Sequence, residues 1–260
     1  MNFQMYLHKV CVRQLSDARP TAVKHASDSC QTRVRQLSDT NFIENRSKQD
    51  SGKCKKRLLL FFNGWGASPD CFQRLQADDD QEVIVLYDYR STELPIDLSA
   101  YREIRLVAWS LGVWVAEQLM PDIPLASAVA INGTGLPVDD RYGIPPAVFD
   151  ATLENLTEEG RRRFNRRMCG ARDILNSYNQ FVARPIEEVR EELQWLYDHI
   201  RQTPLPECRF PWTKALISNN DRIFPTDNLL NYWEDRAAIE RLDTPHYPFY
   251  LWKHWNELTQ

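Results

Sequence analysis

The sequence predicts an α/β fold, in which a mostly parallel central sheet is flanked by helices and carries an inserted helical lid. Apolar strand-like runs alternate with helix-like stretches in residues 57–142 and again in residues 206–260. Such alternation is typical of βαβ units around a parallel sheet. Residues 143–205, in contrast, contain helix-like stretches and no strand-like run. We therefore predict a core formed by residues 57–142 and 206–260, with a lid at residues 143–205.

Residues 1–56 form a basic extension that differs from the body in charge and in pattern. Residues 1–57 hold 12 Lys and Arg against 5 Asp and Glu, whereas the remaining residues hold 20 against 31. The extension is polar and lacks a sustained hydrophobic period, so we expect it to be largely disordered. It contains a repeat, residues 12–17 and 34–39, whose two copies are too few for a solenoid. A nucleic-acid-binding arm and a stretch upstream of the true translation start stay open as alternatives.

The elements of the predicted core follow from apolar runs and turn signals. The first strand, residues 57–63, is apolar without alternation, as are strands buried on both faces of a sheet. Strands are predicted at residues 57–63, 82–87, 104–109, 125–131, 213–218 and 237–242, and core helices at residues 70–75, 111–119, 225–233 and 247–258. Lid helices are predicted at residues 145–153, 157–169, 172–181 and 185–201.

Composition argues against several other classes of protein. The content of 43% hydrophobic and 26% charged residues is ordinary for a globular protein. The six cysteines are scattered, without a C-x-x-C pair or a Cys/His cluster, so we expect reduced thiols in a cytoplasmic protein without a metal site. No apolar run reaches the ~18 residues of a membrane span, and no glycine-rich phosphate loop is present. We therefore expect a protein that uses no cofactor and binds no membrane. We also predict a monomer without a nucleic-acid partner, with the basic arm named above as the alternative.

The strand at residues 104–109 breaks at a serine that lies between small residues. Ala108, Ser110 and Gly112 form the pattern A-x-S-x-G, and the chain then continues as a predicted helix. A strand, a sharp turn with a hydroxyl at its apex and a helix form the nucleophile elbow of α/β-hydrolases, whose usual pattern is G-x-S-x-G. Small residues are needed there because the turn is strained. Ser110 is therefore the candidate nucleophile of an α/β-hydrolase fold.

A nucleophilic serine needs a base, and the base needs a carboxylate that holds its tautomer and orientation. Of the five histidines, His246 lies in a proline-flanked loop after a late strand. The candidate acid is Asp221, in a polar turn after the strand at residues 213–218. The order Ser110, Asp221, His246 is that of α/β-hydrolases. Taken singly, the histidine could be a surface residue and the aspartate a helix cap.

A tetrahedral intermediate also needs hydrogen-bond donors for its oxyanion. The backbone N–H of Leu111, directly after the candidate nucleophile, is one candidate donor. The backbone N–H of Trp65 is the other, because the turn Gly64-Trp65-Gly66 follows the first strand of the core. The same turn could serve packing alone.

The predicted helix at residues 157–169 carries the densest cationic cluster of the body. At about 100° per residue, its arginines occupy one face, whereas Phe164 and Met168 occupy another. A solvated helix face is one interpretation, and docking of an acidic partner is the other, because arginine pairs bidentately with carboxylate and phosphate groups. The candidate docking residues are Arg162, Arg163, Arg166, Arg167 and Arg172.

Six short stretches carry a family resemblance. They are Phe62 to Gly66, Tyr87 to Tyr89, Leu106 to Glu117, Ile131 to Pro137, Thr152 to Thr157 and Pro245 to Phe249. Together they resemble the BioG family of bacterial pimeloyl-[acyl-carrier protein] methyl ester esterases of biotin synthesis. The resemblance covers residues 57–258, and it makes Ala108 look like a family trait of the elbow. Residues 1–56 have no counterpart in it.

The resemblance implies that Ser110 attacks the methyl ester of pimeloyl-[acyl-carrier protein] methyl ester, with His246 as base and Asp221 as its orienter. It also implies an acidic acyl-carrier protein as partner, for which the arginine cluster is the docking site that we predict from charge. The acyl chain then has to thread between lid and core, with Trp65 and Trp109 as candidate walls. The alternatives are a general short-chain carboxylesterase or thioesterase and, outside enzymes, a non-catalytic binding protein.

Overall fold

The computed structural model of the protein describes residues 10–14, 56–91, 94, 96–120, 122–203 and 210–260. Within these residues the strands are β1 (Val10–Gln14), β2 (Arg57–Phe62), β3 (Gln81–Tyr87), β4 (Glu103–Trp109), β5 (Ser127–Ile131), β6 (Lys214–Ser218) and β7 (Ala238–Leu242). The α-helices are α1 (Gly112–Leu119), α2 (Pro146–Glu154), α3 (Glu158–Cys169), α4 (Arg172–Tyr178), α5 (Ile186–Gln202) and α6 (Thr226–Trp233).

The strands form one sheet in the order β1-β3-β2-β4-β5-β6-β7, and every neighbouring pair is parallel. This confirms the predicted α/β architecture. The order changes direction between β2 and β4, which pair in the register Phe62 to Ala108. Ligands of parallel sheets bind where the loops at the carboxyl ends of two such strands diverge. The loops after β2 and β4 therefore mark the expected position of the site.

The central strands are buried on both faces. Leu58 to Phe62 in β2 and Leu106 to Ala108 in β4 have no exposed surface. On one face Phe61 contacts the rings of Phe72 and Trp255, with centroids 4.6 and 5.2 Å apart. Because neither face meets water, the sequence of β2 lacks the alternation of a half-buried strand, as predicted.

Four helices, α2–α5, lie between β5 and β6 where the lid was predicted. Helix α3 begins after Thr157, whose side chain accepts a hydrogen bond from the Gly160 N–H, and ends at Gly170 with φ of 68°. Glutamates occupy its first turn and arginines its last turn, which suits the helix dipole. Among the helices of the described residues, none combines the length and the apolar character needed to cross a bilayer.

The structure limits one prediction about the chain ends and contradicts another. Val10–Gln14 forms strand β1 against β3, so disorder does not extend to these five residues. Residues 1–9 and 15–55 of the extension, including the second copy of the repeat, lie outside the described residues. The predicted helix at residues 247–258 is replaced by two short 3-10 segments, Phe249–Leu251 and Trp255–Leu258. The backbone between them instead bonds to Gln76, which donates to the Lys253 carbonyl and accepts from the Trp255 N–H.

Candidate active site

Ser110 lies at the apex of the turn between β4 and α1. Its φ is 58°, a left-handed conformation that is costly for a side chain other than glycine and marks a strained position. A Cβ on Gly112 would lie 2.5 Å from the carbonyl oxygens of Phe62 and Asn63, so no larger residue fits there. The Ser110 N–H donates to the carbonyl of Ile131 at 2.9 Å, which ties the turn to β5. The local geometry is the predicted strand, sharp turn and helix.

The structure brings the three predicted side chains together. His246 Nε2 lies 3.0 Å from Ser110 Oγ, and His246 Nδ1 lies 2.7 Å from Asp221 Oδ2. Both His246 and the Asp221 side chain are buried, with 1% and 0% of the side-chain surface exposed. The shielding from water strengthens both hydrogen bonds. A hydroxyl, an imidazole and a carboxylate thus form one hydrogen-bonded chain at the carboxyl edge of the sheet.

Asp221 is oriented by the backbone that follows it. Its Oδ1 accepts hydrogen bonds from the N–H groups of Ile223 and Phe224, at 2.7 and 2.9 Å. The other oxygen is therefore left to face His246 Nδ1. The Phe224 ring stacks nearly parallel to the imidazole at 6.0 Å, which restrains the ring plane.

A buried network holds the histidine loop in place. The carbonyl of His246 accepts from Trp109 Nε1 and from Asn132 Nδ2, both at 3.0 Å. Asn132 also donates to Ser218 Oγ at 2.7 Å, and its own Oδ1 accepts from the Ser218 N–H at 2.8 Å. The network joins the ends of β4, β5 and β6 to the loop after β7. We did not predict Asn132 as a site residue, although an asparagine before a glycine at a strand end is a signal for an unusual backbone, and its φ is 46°.

The two candidate oxyanion donors lie at the same cavity as Ser110. Trp65 and Leu111 both line it, and neither backbone N–H donates to an acceptor among the described residues. Trp65 belongs to the turn Gly64-Trp65-Gly66, which we call the oxyanion loop. Gly66 adopts a φ of 69° in this loop. Unbonded N–H groups beside a nucleophile are the arrangement that an oxyanion requires.

The cavity above Ser110 is narrow and mostly apolar. Together with its open mouth it encloses about 420 Å³ of empty space. Aliphatic and aromatic side chains form most of its wall: Trp65, Leu111, Ile144, Val148, Phe149 and Phe164. Arg167 and Arg222 are its charged lining residues, and Arg222 was not predicted. Trp109, predicted as a wall, is instead buried among Phe72, Phe249 and the histidine loop, because its indole N–H bonds to the His246 carbonyl.

The predicted arginine cluster is divided between two environments. Arg162, Arg163 and Arg166 are exposed and surround the Glu159 carboxylate at 2.6, 3.2 and 3.8 Å. Arg167 faces the cavity, with its guanidinium 5.9 Å from the centre of the Phe164 ring. Arg172 is exposed at the start of α4. The cluster is thus not one uniform face, and Glu159 neutralises part of it.

The cysteines near the site offer no competing nucleophile. Among the described residues, Cys71 and Cys169 are unpaired and buried. Burial raises the pKa of the Cys169 thiol to about 12 and raises that of Cys71 as well. A thiol is nucleophilic only as the thiolate, so both are inert near neutral pH.

Solved hydrolase structures share this fold. An esterase from Exiguobacterium antarcticum superimposes with a TM-score of 0.53 at 13% identity, covering 75% of this chain and 87% of that chain. A 2-hydroxy-6-oxo-6-phenylhexa-2,4-dienoate hydrolase from Rhodococcus gives a TM-score of 0.52 at 15% identity, covering 78% and 87%. At these identities the likeness concerns the fold alone. The chain thus has the fold of the α/β-hydrolases.

More similar proteins define its family. A family model described as pimeloyl-ACP methyl esterase BioG matches residues 45–258. The crystal structure of BioG from Haemophilus influenzae is 44% identical with a TM-score of 0.76, and the match covers 79% of this chain and 95% of that chain. The chain belongs to the BioG family, and family and fold together identify it as an esterase. The family resemblance drawn from its sequence motifs is confirmed.

A further relative is a longer protein. It comes from Bacteroides fragilis, is named malonyl-[acyl-carrier protein] O-methyltransferase and is 41% identical over 198 residues. The match covers 74% of this chain but 40% of that protein. The region similar to this chain is therefore less than half of a longer polypeptide.

Proposed function

We propose that this esterase hydrolyses the methyl ester of pimeloyl-[acyl-carrier protein] methyl ester, releasing pimeloyl-[acyl-carrier protein] and methanol in biotin biosynthesis. The observation that carries the proposal is the chain Ser110–His246–Asp221, with distances of 3.0 and 2.7 Å, at a narrow apolar cavity in a member of the BioG family. The hydrogen-bonded side chains supply the chemistry, and the family supplies the substrate.

In the proposed acylation, Ser110 Oγ attacks the ester carbonyl carbon while His246 Nε2 takes its proton. Asp221 accepts the Nδ1–H of His246 and stabilises the imidazolium that forms. The N–H groups of Trp65 and Leu111 bind the oxyanion of the tetrahedral intermediate. The bond to the methoxy oxygen then breaks, and methanol leaves with the proton from His246.

In the second half of the reaction, water attacks the acyl-enzyme and His246 again takes and returns the proton. Ser110 is regenerated, and the product carries a free carboxylate at the end remote from the carrier. The same substrate contains a thioester, which must survive. A narrow apolar cavity favours this outcome because the extended acyl chain can place its distal ester at Ser110 while the thioester stays outside.

The Bacteroides relative supports a methyl ester on a carrier-bound acid. Its name describes transfer of a methyl group to malonyl-[acyl-carrier protein], and part of its chain is similar to this esterase. The polypeptide named for forming a carrier-bound methyl ester therefore also contains a region similar to this esterase. The second candidate function, a general short-chain carboxylesterase or thioesterase, differs in that carrier attachment would not affect the rate.

The test of the proposal compares two substrates, the carrier-bound methyl ester and a small methyl ester, with wild type and Ser110→Ala. We expect cleavage of the carrier-bound methyl ester with a kcat/KM at least ~100-fold above that for a small methyl ester, and an intact thioester. Ser110→Ala should lose at least ~10,000-fold in kcat, whereas Ser177→Ala in α4 serves as a matched control and should retain it. Equal rates on free and carrier-bound esters, or cleavage of the thioester, would favour the second candidate.

We further propose that the arginines of α3 and Arg172 dock the acidic carrier protein. Arg162, Arg163 and Arg166 are exposed, and Arg167 connects their helix to the Ser110 cavity. A carrier bound to this face would hold its acyl chain beside the cavity. Opposite charges at such a surface act mainly on the encounter rate and on KM.

The docking proposal is tested by charge reversal. Arg162→Glu with Arg166→Glu should raise KM for the carrier-bound ester at least ~10-fold and leave a small ester within twofold. Arg141→Glu with Lys253→Glu changes the net charge equally at two exposed residues outside α3 and is the matched control. Equal effects of both pairs, or a change with the small ester, would contradict docking at α3.

A further inference from the structure

The oxyanion loop is attached to lid helix α5 by three contacts. Trp65 Nε1 donates to the Val189 carbonyl at 2.8 Å, and the Gly66 N–H donates to Glu192 Oε2 at 3.4 Å. The backbone of Gly66 is so near the helix that an added Cβ would lie 2.9 Å from Val189 Cγ1. One turn of α5 therefore contacts Trp65 and Gly66, directly beside the peptide that carries the proposed donor.

Glu192 is the charged member of these contacts, and its carboxylate has no exposure to solvent. Oε1 accepts from the N–H of Tyr89 at 3.1 Å, directly after β3. Oε2 accepts from Arg184 Nη1 at 2.6 Å as well as from Gly66. A single lid side chain thus joins the loop after β2 to the loop after β3.

The charge of Glu192 is balanced within the same cluster. Arg184, 7% exposed, lies between Glu192 and the fully buried Asp88, whose Oδ2 is 3.4 Å from Arg184 Nη2. Burial raises the pKa of Glu192, and the guanidinium of Arg184 opposes that rise. A buried carboxylate with an arginine and two backbone donors is costly to desolvate and tolerates few other positions.

We propose that Glu192 is a positioning residue for the reaction, which acts by holding the oxyanion loop so that the Trp65 N–H faces the intermediate formed at Ser110. This inference rests on the proposed role of Trp65 as an oxyanion donor. The Trp65 N–H bonds to no acceptor in the described part of the chain, so its direction depends on how its neighbours are held. Glu192 holds Gly66 through its N–H, and the carbonyl of Val189 holds the Trp65 indole.

A lid that only covers the site would show a different pattern of kinetic effects. Loss of a cover changes substrate binding and therefore KM. Loss of alignment at an oxyanion donor weakens an interaction made in the transition state and therefore lowers kcat with little change in KM. The split between kcat and KM distinguishes the two roles.

The experiment uses Glu192→Gln with a small soluble methyl ester. Glutamine keeps the size of the side chain and an oxygen acceptor for Arg184, whose other guanidinium nitrogen lies 3.4 Å from Asp88, so the variant can fold. We expect kcat to fall ~10- to 100-fold with KM within twofold, since losing an oxyanion donor outright costs ~100- to 1,000-fold. Glu187→Gln is the matched control, because Glu187 is exposed in the first turn of the same helix and should retain the wild-type kcat.

A second readout reports on the oxyanion directly. An alkyl trifluoromethyl ketone adds to Ser110 Oγ and forms a tetrahedral oxyanion, with the serine proton passing to His246. Its inhibition constant should rise in Glu192→Gln by the same factor by which kcat/KM falls, whereas the inhibition constant of the free acid product should not change. A ketone that binds both enzymes equally well would overturn the positioning role.

A folded Glu192→Gln with wild-type kcat, or with a change in KM alone, also overturns it. Where that variant does not fold, Glu192→Asp decides, since it keeps the buried charge beside Arg184 and withdraws the carboxylate from the Gly66 N–H. Lower kcat at constant KM supports the proposal, and unchanged kcat overturns it. Ester cleavage that survives in the Ser110→Ala variant would instead refute the proposed function, and with it the role of Trp65.

Discussion

Two carboxylates, one in the core and one in the helical insertion α2–α5, illustrate how differently the two regions use charge. Asp221 is buried, faces a single imidazole at 2.7 Å and has its other oxygen held by two backbone N–H groups. Glu159 is accessible to water and is shared among three arginines at 2.6 to 3.8 Å. The guanidinium groups nearby lower the pKa of Glu159.

The two carboxylates differ because Asp221 is shielded from water and Glu159 is not. In the core each hydrogen bond is fixed because an unpaired polar group there would be costly, and a small change of geometry therefore alters the chemistry. On α3 water screens the charges and several arrangements are equivalent, so only the total charge matters. The activity should therefore respond sharply to isosteric substitutions in the core and weakly to those on the exposed face of α3.

The largest effect is expected for Asp221→Asn. The amide can still accept from the following backbone, but it presents an N–H to His246 Nδ1 and stabilises the wrong tautomer. We expect kcat to fall ~10,000-fold with a nearly unchanged melting temperature. Steady-state kinetics and thermal unfolding measure both. Asp227→Asn, exposed in α6, is the matched control, and a loss below ~10-fold for Asp221→Asn would show that the core tolerates such changes.

An intermediate effect is expected for Glu117→Gln in α1. Burial raises the pKa of Glu117 to about 7, although Trp212 and Tyr232 donate to its Oε1 at 2.8 and 3.4 Å. The folded state therefore binds this proton more tightly than the unfolded chain, and stability falls as pH rises from about 4.5 to 7. Glutamine does not ionise, so it removes this loss of stability, and its amide oxygen can still accept the hydrogen bonds from Trp212 and Tyr232.

Thermal unfolding at two pH values tests this expectation. One pKa unit corresponds to about 1.4 kcal/mol, and the partial exposure of the side chain reduces the total, so we expect Glu117→Gln to gain ~1–2 kcal/mol at pH 8.5. The corresponding rise in Tm is ~2–8 °C, and it should nearly vanish at pH 4.5. The exposed Glu154→Gln should follow the pH profile of wild type. An equal gain at both pH values would contradict the assignment to ionisation.

The smallest effect is expected for Glu159→Gln. Removing this carboxylate frees Arg162, Arg163 and Arg166 and raises the positive charge of α3 by one. KM for the carrier-bound ester should fall ~2- to 3-fold at low salt, and the difference should disappear at high salt. Glu187→Gln in α5 is the matched exposed control. An increase in KM would mean that Glu159 aligns the arginines, which would contradict a face that acts through total charge.

Local sequence was sufficient for those parts of the site that depend on neighbours in the chain. The elbow is recognisable because Ser110 and Gly112 must satisfy one strained turn, and the order of Ser110, Asp221 and His246 identifies each partner. The strand pattern likewise predicted the parallel sheet. Each of these features depends either on a few neighbouring residues or on the order of strands and helices along the chain.

The tertiary structure alone placed the residues that act across long separations. Asn132 holds the His246 carbonyl from 114 residues away, and Glu192 bonds to the Tyr89 N–H across 103 residues. Trp109, predicted as a cavity wall, likewise supports the histidine loop, because its indole N–H bonds to the His246 carbonyl 137 residues away. No local pattern encodes such pairs, because a buried polar side chain takes whichever distant donor the packed core presents to it.

The amino-acid sequence by itself determined the fold class, the identity of the three hydrogen-bonded side chains and the basic character of α3. The tertiary structure decided which distant segments meet. It pairs strand β1 with β3, builds the hydrogen-bond network at the His246 carbonyl and attaches the oxyanion loop to α5. Local preferences and hydrophobic patterns act along the chain, whereas burial and the pairing of polar groups are settled only when distant segments meet.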